Sequence, residues 1–140
     1  MGRRSDHSRE QLQEMIIEAA LNLVRQRGAE KVTARQIATA VGYTPGMLYS
    51  VFINLQDIFL HVNQVGLRSL YERCATAQQA SSSPDGAIRA MGQAYLQFAR
   101  EHTHQFDLMF SRGIQHPEVP PPGLGDQIRT LFELLRLQLH

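Results

Sequence analysis

The sequence predicts an all-α protein, with an N-terminal three-helix unit built on a helix-turn-helix and a second helical unit behind it. Three observations carry this. Apolar residues recur at three-four spacing along nearly the whole chain, the signature of helices that bury one face. Polar N-cap residues and glycine stops flank those stripes. Neither strand-like alternation nor a glycine-rich phosphate loop occurs, which argues against the nucleotide-binding α/β designs. At 140 residues with 43% apolar content, the chain can bury a core of one domain or of two small halves.

The first helix carries Leu12, Met15, Ile16, Ala19, Ala20, Leu23 and Val24 on one stripe. Ser8 and Gln11 form a capping box for its start, and Gly28 stops it behind the cations Arg25 and Arg27. Thr33 caps a short helix bearing Ala34, Ile37, Ala38 and Val41, which Gly42 ends. Thr44 caps the next, with Pro45 in its first turn, where a missing N–H costs nothing. Leu48 and Phe52 form its inner face, with Met47 and Val51 toward the flank. Asn54 caps a long helix through Ile58, Val62, Leu70 and Cys74 that fades between Gln78 and Ser83. The run Ser81-Ser82-Ser83-Pro84 marks a boundary between two halves. Beyond it, Ile88, Met91, Tyr95, Phe98 and Ala99 make an amphipathic helix, followed after Thr103 by a short piece with Phe106, Met109 and Phe110. Gly113 to Gly125 reads as a proline-rich loop, and a last helix from Asp126 carries Leu131, Leu134, Leu135 and Leu139.

Charge and chemistry narrow the function. Fourteen basic residues against thirteen acidic ones give a net charge of +1, so any nucleic-acid surface is local. Residues 1–55 hold seven basic and five acidic side chains, and residues 56–140 hold seven and eight. The single cysteine, Cys74, excludes an internal disulfide and a cysteine zinc site; a buried helical cysteine is inert, although a redox sensor is the functional alternative. His102 and His104, near Asp107 and His116, lie too close in register to share a helical face, so they are read as solvated and no metal site or cofactor is expected. No nucleophile with a base and no paired carboxylates appear, so no enzyme is expected. The apolar runs fall short of a membrane span and the polar start lacks a signal-peptide core, so the expected setting is cytoplasmic and free of membrane.

Thr33 to Phe52 is the informative stretch. Ala38 is small enough for two helices to cross closely, and Gly42 can take the left-handed turn. Ile37, Val41 and Leu48 supply the apolar wedge between them. Residues 9 to 62 resemble the DNA-binding domain of the tetracycline-repressor (TetR) family. The string is Arg27-Gly28, Val32-Thr33-Ala34-Arg35-Gln36-Ile37-Ala38, Val41-Gly42-Tyr43-Thr44-Pro45-Gly46-Met47-Leu48-Tyr49, then Phe52. Tyr95-Leu96-Gln97-Phe98-Ala99 and Phe106-Asp107-Leu108-Met109-Phe110 resemble the regulatory domain of some members.

The resemblance implies a DNA-binding transcriptional regulator, a ligand-responsive repressor acting as a homodimer on a double-stranded operator. Residues 1–55 would be the DNA-binding domain with a basic arm. Residues 56–140 would be the effector-binding and dimerisation domain, with a linking helix over 56–80 and an apparently shortened C-terminal part. Thr33 and Tyr49 would bind phosphates, and Thr44, Pro45, Gly46 and Met47 would lie nearest the base edges, with Ala34, Arg35, Arg3 and Arg4 completing the DNA face. Met91, Tyr95, Phe98, Phe106, Met109 and Phe110 would line a pocket for a small apolar effector; from residue type alone they form an ordinary core. Members often carry an aromatic or histidine before the phenylalanine and a lysine a few residues after it, where this chain has Val51 and Leu55. Those departures support the alternative of a helical protein-interaction module that no longer binds DNA.

A lone helix cannot hide the leucines after Asp126, so that face packs across a two-fold axis or covers a core. Leu135→Glu is expected to turn a dimer into a monomer or an aggregate and to abolish operator binding, as read by sedimentation of both chains.

Overall fold

Local signals in the chain set where each helix starts and stops, and the computed structural model, which describes residues 7–110, follows them closely. Helix α1 spans Arg9–Arg27. Its capping box is complete: the Ser8 hydroxyl accepts from the Gln11 N–H at 3.0 Å and the Gln11 side chain accepts from the Ser8 N–H at 2.9 Å. Gly28, at φ 84°, ends α1 and leads into a single 3-10 turn, Ala29–Lys31. Helices α2 (Ala34–Val41) and α3 (Pro45–Val51) follow, then α4 (Leu55–Gln79), α5 (Pro84–Glu101) and α6 (Thr103–Met109). Arg3, Arg4, the Gly113 to Gly125 stretch and Leu131, Leu134, Leu135 and Leu139 lie outside the described residues.

The first core joins α1, α2, α3 and the start of α4. Ile16, Ala20 and Val24 of α1 meet Ile37 and Ala38 of α2, Leu48 of α3 and Ile58 and Val62 of α4, all essentially without exposure. Val51 and Leu55, the two departures from the family pattern, are half-buried and pack against this core. The second core lies between α4 and α5, where Leu60, Leu67, Leu70 and Cys74 face Met91 and Phe98. Helix α5 buries the face its spacing suggests except at its start. Ala87, Met91 and Phe98 point inward, whereas Ile88 is exposed, because the inner stripe runs through Ala87 and leaves Ile88 one residue around the helix.

The serine run is a tight connection between two packed helices. The Ser83 hydroxyl caps α5 by accepting from the Gly86 N–H at 3.1 Å, with Pro84 in the first turn. At the far end of the pair, Arg73 of α4 binds Glu101 of α5 at 3.0 Å, which with the Gln97 amide holds the Glu101 carboxyl below the usual carboxylate range. The same guanidinium lies over the Phe98 ring, 5.4 Å from its centre.

Helix α6 then folds back onto both α1 and α4. Its Leu108 enters the first core while Phe106 and Met109 pack on the second. Gln105, fully buried, accepts from the Arg25 Nε of α1 at 2.9 Å. Asn63 of α4 donates to the Leu108 carbonyl at 3.3 Å. The helices approach closely because Gly66 has no side chain; a Cβ there would fall 2.7 Å from the Met109 sulfur.

Gly42 has φ 81° and ψ 28°, the left-handed conformation, and its N–H donates back to the Thr39 carbonyl at 3.2 Å. A β-branched side chain resists this conformation strongly. Gly42→Val is therefore expected to destabilise the chain by about 1–3 kcal/mol and to abolish DNA binding, as read by denaturant unfolding and a duplex-binding titration.

Candidate nucleic-acid interface

The helix-turn-helix sits on a buried wedge and turns its opposite side to solvent. Ile37, Ala38, Leu48 and Phe52 are at most 2% exposed and set the crossing of α2 on α3. Between them, the Tyr43 N–H donates to the Ala38 carbonyl at 2.9 Å, so the turn is closed by backbone bonds. His7, at the beginning of the described chain, lies beside this turn, with its Nδ1 3.4 Å from the Tyr43 hydroxyl.

Thr44, Pro45, Gly46 and Met47 form an unbroken exposed run at the start of α3, and Tyr49 is 47% exposed. Thr33, Lys31 and Arg35 are exposed on the neighbouring elements, while Ala34 is half-buried. Thr33 caps α2 as expected, accepting from the Gln36 N–H at 3.2 Å, and Gln36 returns the bond to the Thr33 N–H at 3.0 Å. The Thr-x-x-Gln spacing that makes this a full capping box is visible in the sequence and was not part of the expected cap. Thr44 differs. It occupies the N-cap position of α3, but its hydroxyl makes no capping bond; the first turn closes through its carbonyl, which accepts from the Met47 N–H at 3.0 Å. The Thr44 backbone is extended (φ −91°, ψ 159°), as at the Thr33 cap, and the residue is exposed.

A buried carboxylate fixes the corner between α3 and α4. Asn54 caps α4 by accepting from the Asp57 N–H at 2.8 Å, and Asp57 Oδ2 accepts from the Ile53 N–H at 2.9 Å. His61 Nδ1 lies 2.9 Å from the Asp57 carbonyl, and its ring meets Phe52 edge-on at 5.1 Å. The Asn-x-x-Asp spacing signals this reciprocal cap in the sequence. Its consequence, a rigid mount for α3, needs the fold.

Five of the six residues expected to line an effector pocket come together in the second core, and Phe110 lies at its edge. Met91 and Phe98 are buried against α4, Tyr95 and Phe106 meet edge-on at 5.5 Å, and Met109 is half-buried beside them. Phe110 is 45% exposed and stacks at a tilt on Phe106, 4.8 Å away. Burial pushes the Tyr95 hydroxyl and the Cys74 thiol up from their ordinary values. The fully buried Cys74 thiol thus stays protonated and shielded, which suits packing and not redox sensing. A separate cavity of about 290 Å³ opens where α6 meets the 3-10 turn, lined by Arg27, Glu30, Lys31, His104, Asp107 and Leu108 among others. His104 is exposed as expected, but His102 is partly buried rather than solvated: its ring lies 5.3 Å from Phe98, and burial together with Arg25 and Arg73 holds its imidazole below the ordinary value. No helix among the described residues is long and apolar enough to cross a membrane.

Comparison with known proteins agrees with this architecture. Residues 16–62 match the family of bacterial regulatory proteins, tetR family, and residues 88–139 match the tetracyclin repressor-like C-terminal domain. No curated protein matches the sequence significantly. Among solved structures, a TetR-family transcriptional regulator from Bordetella parapertussis is similar at 22% identity and a TM-score of 0.67, over 93% of this chain and 68% of that one. The TetR-family regulator PfmR from Thermus thermophilus is similar at 23% identity and a TM-score of 0.64, over 89% and 68%. A Streptomyces coelicolor tetR-family regulator has 22% identity and a TM-score of 0.66, with 99% of this chain spanning only 58% of its length. At such identities the structures speak for the fold, and the two sequence matches speak for the family. The chain belongs to the tetR family of bacterial regulatory proteins, as a DNA-binding transcriptional regulator and not an enzyme.

Proposed function

We propose that this regulator is a repressor that binds an operator as a homodimer and is released by a small apolar ligand. One observation carries the DNA-binding surface: the first turn of α3 is exposed without interruption while the wedge beneath it is fully buried. Such an end can enter a major groove without unpacking the motif. Thr33, Thr44 and Tyr49 offer hydroxyls on exposed residues, and the exposed Arg35 and Lys31 add positive charge, so these groups contact phosphates and fix the register. Arg3 and Arg4 would add to this charge from the arm. Two half-sites demand two reading helices about 34–36 Å apart, which one subunit cannot supply.

Release by a ligand is supported by how α6 is seated. It holds α1 through Gln105 and Arg25 and α4 through Leu108 and Asn63, and it belongs to the same helical unit as Met91, Tyr95, Phe98, Phe106 and Met109. A ligand that parts those side chains moves α6 and with it the orientation of the reading head. It acts only to the extent that it prefers one orientation, since equal binding shifts nothing. The interaction-module alternative draws on the absence of any arginine or lysine from Thr44 to Phe52 and on the packing of Val51 and Leu55 into the core.

Titration of a random duplex at low salt separates the two readings. The DNA reading expects binding whose logarithm falls linearly with the logarithm of salt, and a chain indifferent to duplex overturns it. Tyr49→Phe is expected to weaken binding to all duplexes by about three- to tenfold, the worth of one neutral hydrogen bond. A change in base preference larger than that general loss would assign Tyr49 to base reading instead.

A further inference from the structure

None of the side chains exposed at the start of α3 can make a two-point hydrogen bond to a base edge, the commonest way a recognition helix selects sequence. Thr44 offers one hydroxyl, Pro45 a ring without a donor and Gly46 no side chain. Met47 offers an unbranched apolar arm and is 38% exposed. That arm is held in place: the Ser50 hydroxyl, one turn on, donates to the Met47 carbonyl at 2.6 Å and lies 3.5 Å from its sulfur. Beside it the helix surface is open, since a Cβ at Gly46 would meet nothing nearer than the Thr44 hydroxyl at 3.9 Å. The leading edge of α3 is thus a low, apolar platform with Met47 standing on it.

In the major groove, thymine is the one base that presents an apolar group, its 5-methyl; the other edges present donors and acceptors. An apolar side chain pressed against those polar edges strips them of water without replacing their hydrogen bonds, which is unfavourable. Against a methyl group it buries apolar surface at no polar cost. We propose that Met47 is the specificity-determining residue of this regulator, selecting operator half-sites by contact with a thymine 5-methyl group. This rests on the DNA-binding reading above and names the chemistry by which that surface discriminates.

The test removes only the methyl. The full chain selects duplexes from a random pool at low salt, and the tightest duplex is remade with deoxyuridine replacing each thymidine in turn. One thymine per half-site should lose about fourfold in affinity on becoming uracil, the worth of one buried methyl group. Met47→Ala, an exposed change that leaves the core intact, should bind the two versions equally, whereas Met47→Leu should keep the difference. A selected duplex indifferent to uracil at every position overturns the proposal while leaving DNA binding in place. So does an equal uracil penalty in wild type and Met47→Ala at the same thymine, because another group then reads the methyl. Failure to retain any duplex overturns the DNA-binding reading itself, and with it this one.

Discussion

Everything in this molecule depends on one helix having to bury two faces in two different cores. Helix α4 places Ile58 and Val62 in the N-terminal core and Leu60, Leu67, Leu70 and Cys74 in the core shared with α5. At 25 residues it extends about 37 Å, so it is a rigid strut as well as a shared wall. Neither core can move without carrying α4, and α4 cannot tilt without disturbing its own mount on α3. That mount is the Asp57 carboxylate, which holds the Ile53 backbone from inside the first core.

The closing contact of α6 mixes polar groups with its apolar Leu108, Phe106 and Met109. Gln105 and Asn63 sit fully buried or nearly so between α4 and α6, each with one hydrogen-bonding group paired, to Arg25 and to the Leu108 carbonyl. The remaining Gln105 amide N–H and Asn63 oxygen have no partner among the described residues. Leaving such groups unpaired costs about 1–3 kcal/mol each, so α6 is held less firmly than an apolar helix of equal area. Weak seating at the point where α6 reaches the reading head suits a segment whose position changes with the state of the protein.

The reading head itself shows how a family motif can be kept while its electrostatics are changed. Val51 and Leu55 occupy positions where relatives often place groups that touch the DNA backbone, and here they pack inward. Among the described residues near the motif, positive charge is left to Lys31 and Arg35, outside α3.

How much of this was legible in the chain follows the range of each interaction. Caps and stops act within four residues, so Ser8 with Gln11, Thr33, Asn54, Gly28 and Gly42 could be read directly, and the helix limits with them. The long matching string from Arg27 to Phe52 also identified the helix-turn-helix, because close crossing and a left-handed turn demand small residues at particular places. What one residue of helical phase decides was harder: Ile88 faces solvent and Ala87 the core, since the packing of α5 on α4 selects among nearly equivalent stripes. The missing cap at Thr44 could not be read from residue type, since Thr33, with the same extended backbone, does make one. Burial of Gln105 and Asn63 was invisible in sequence, because a polar residue reveals nothing of its surroundings until α6 folds back across α1 and α4. Local geometry is written in neighbouring residues, whereas the seating of one helix on two others is settled only when segments some eighty residues apart, such as Arg25 and Gln105, come into contact.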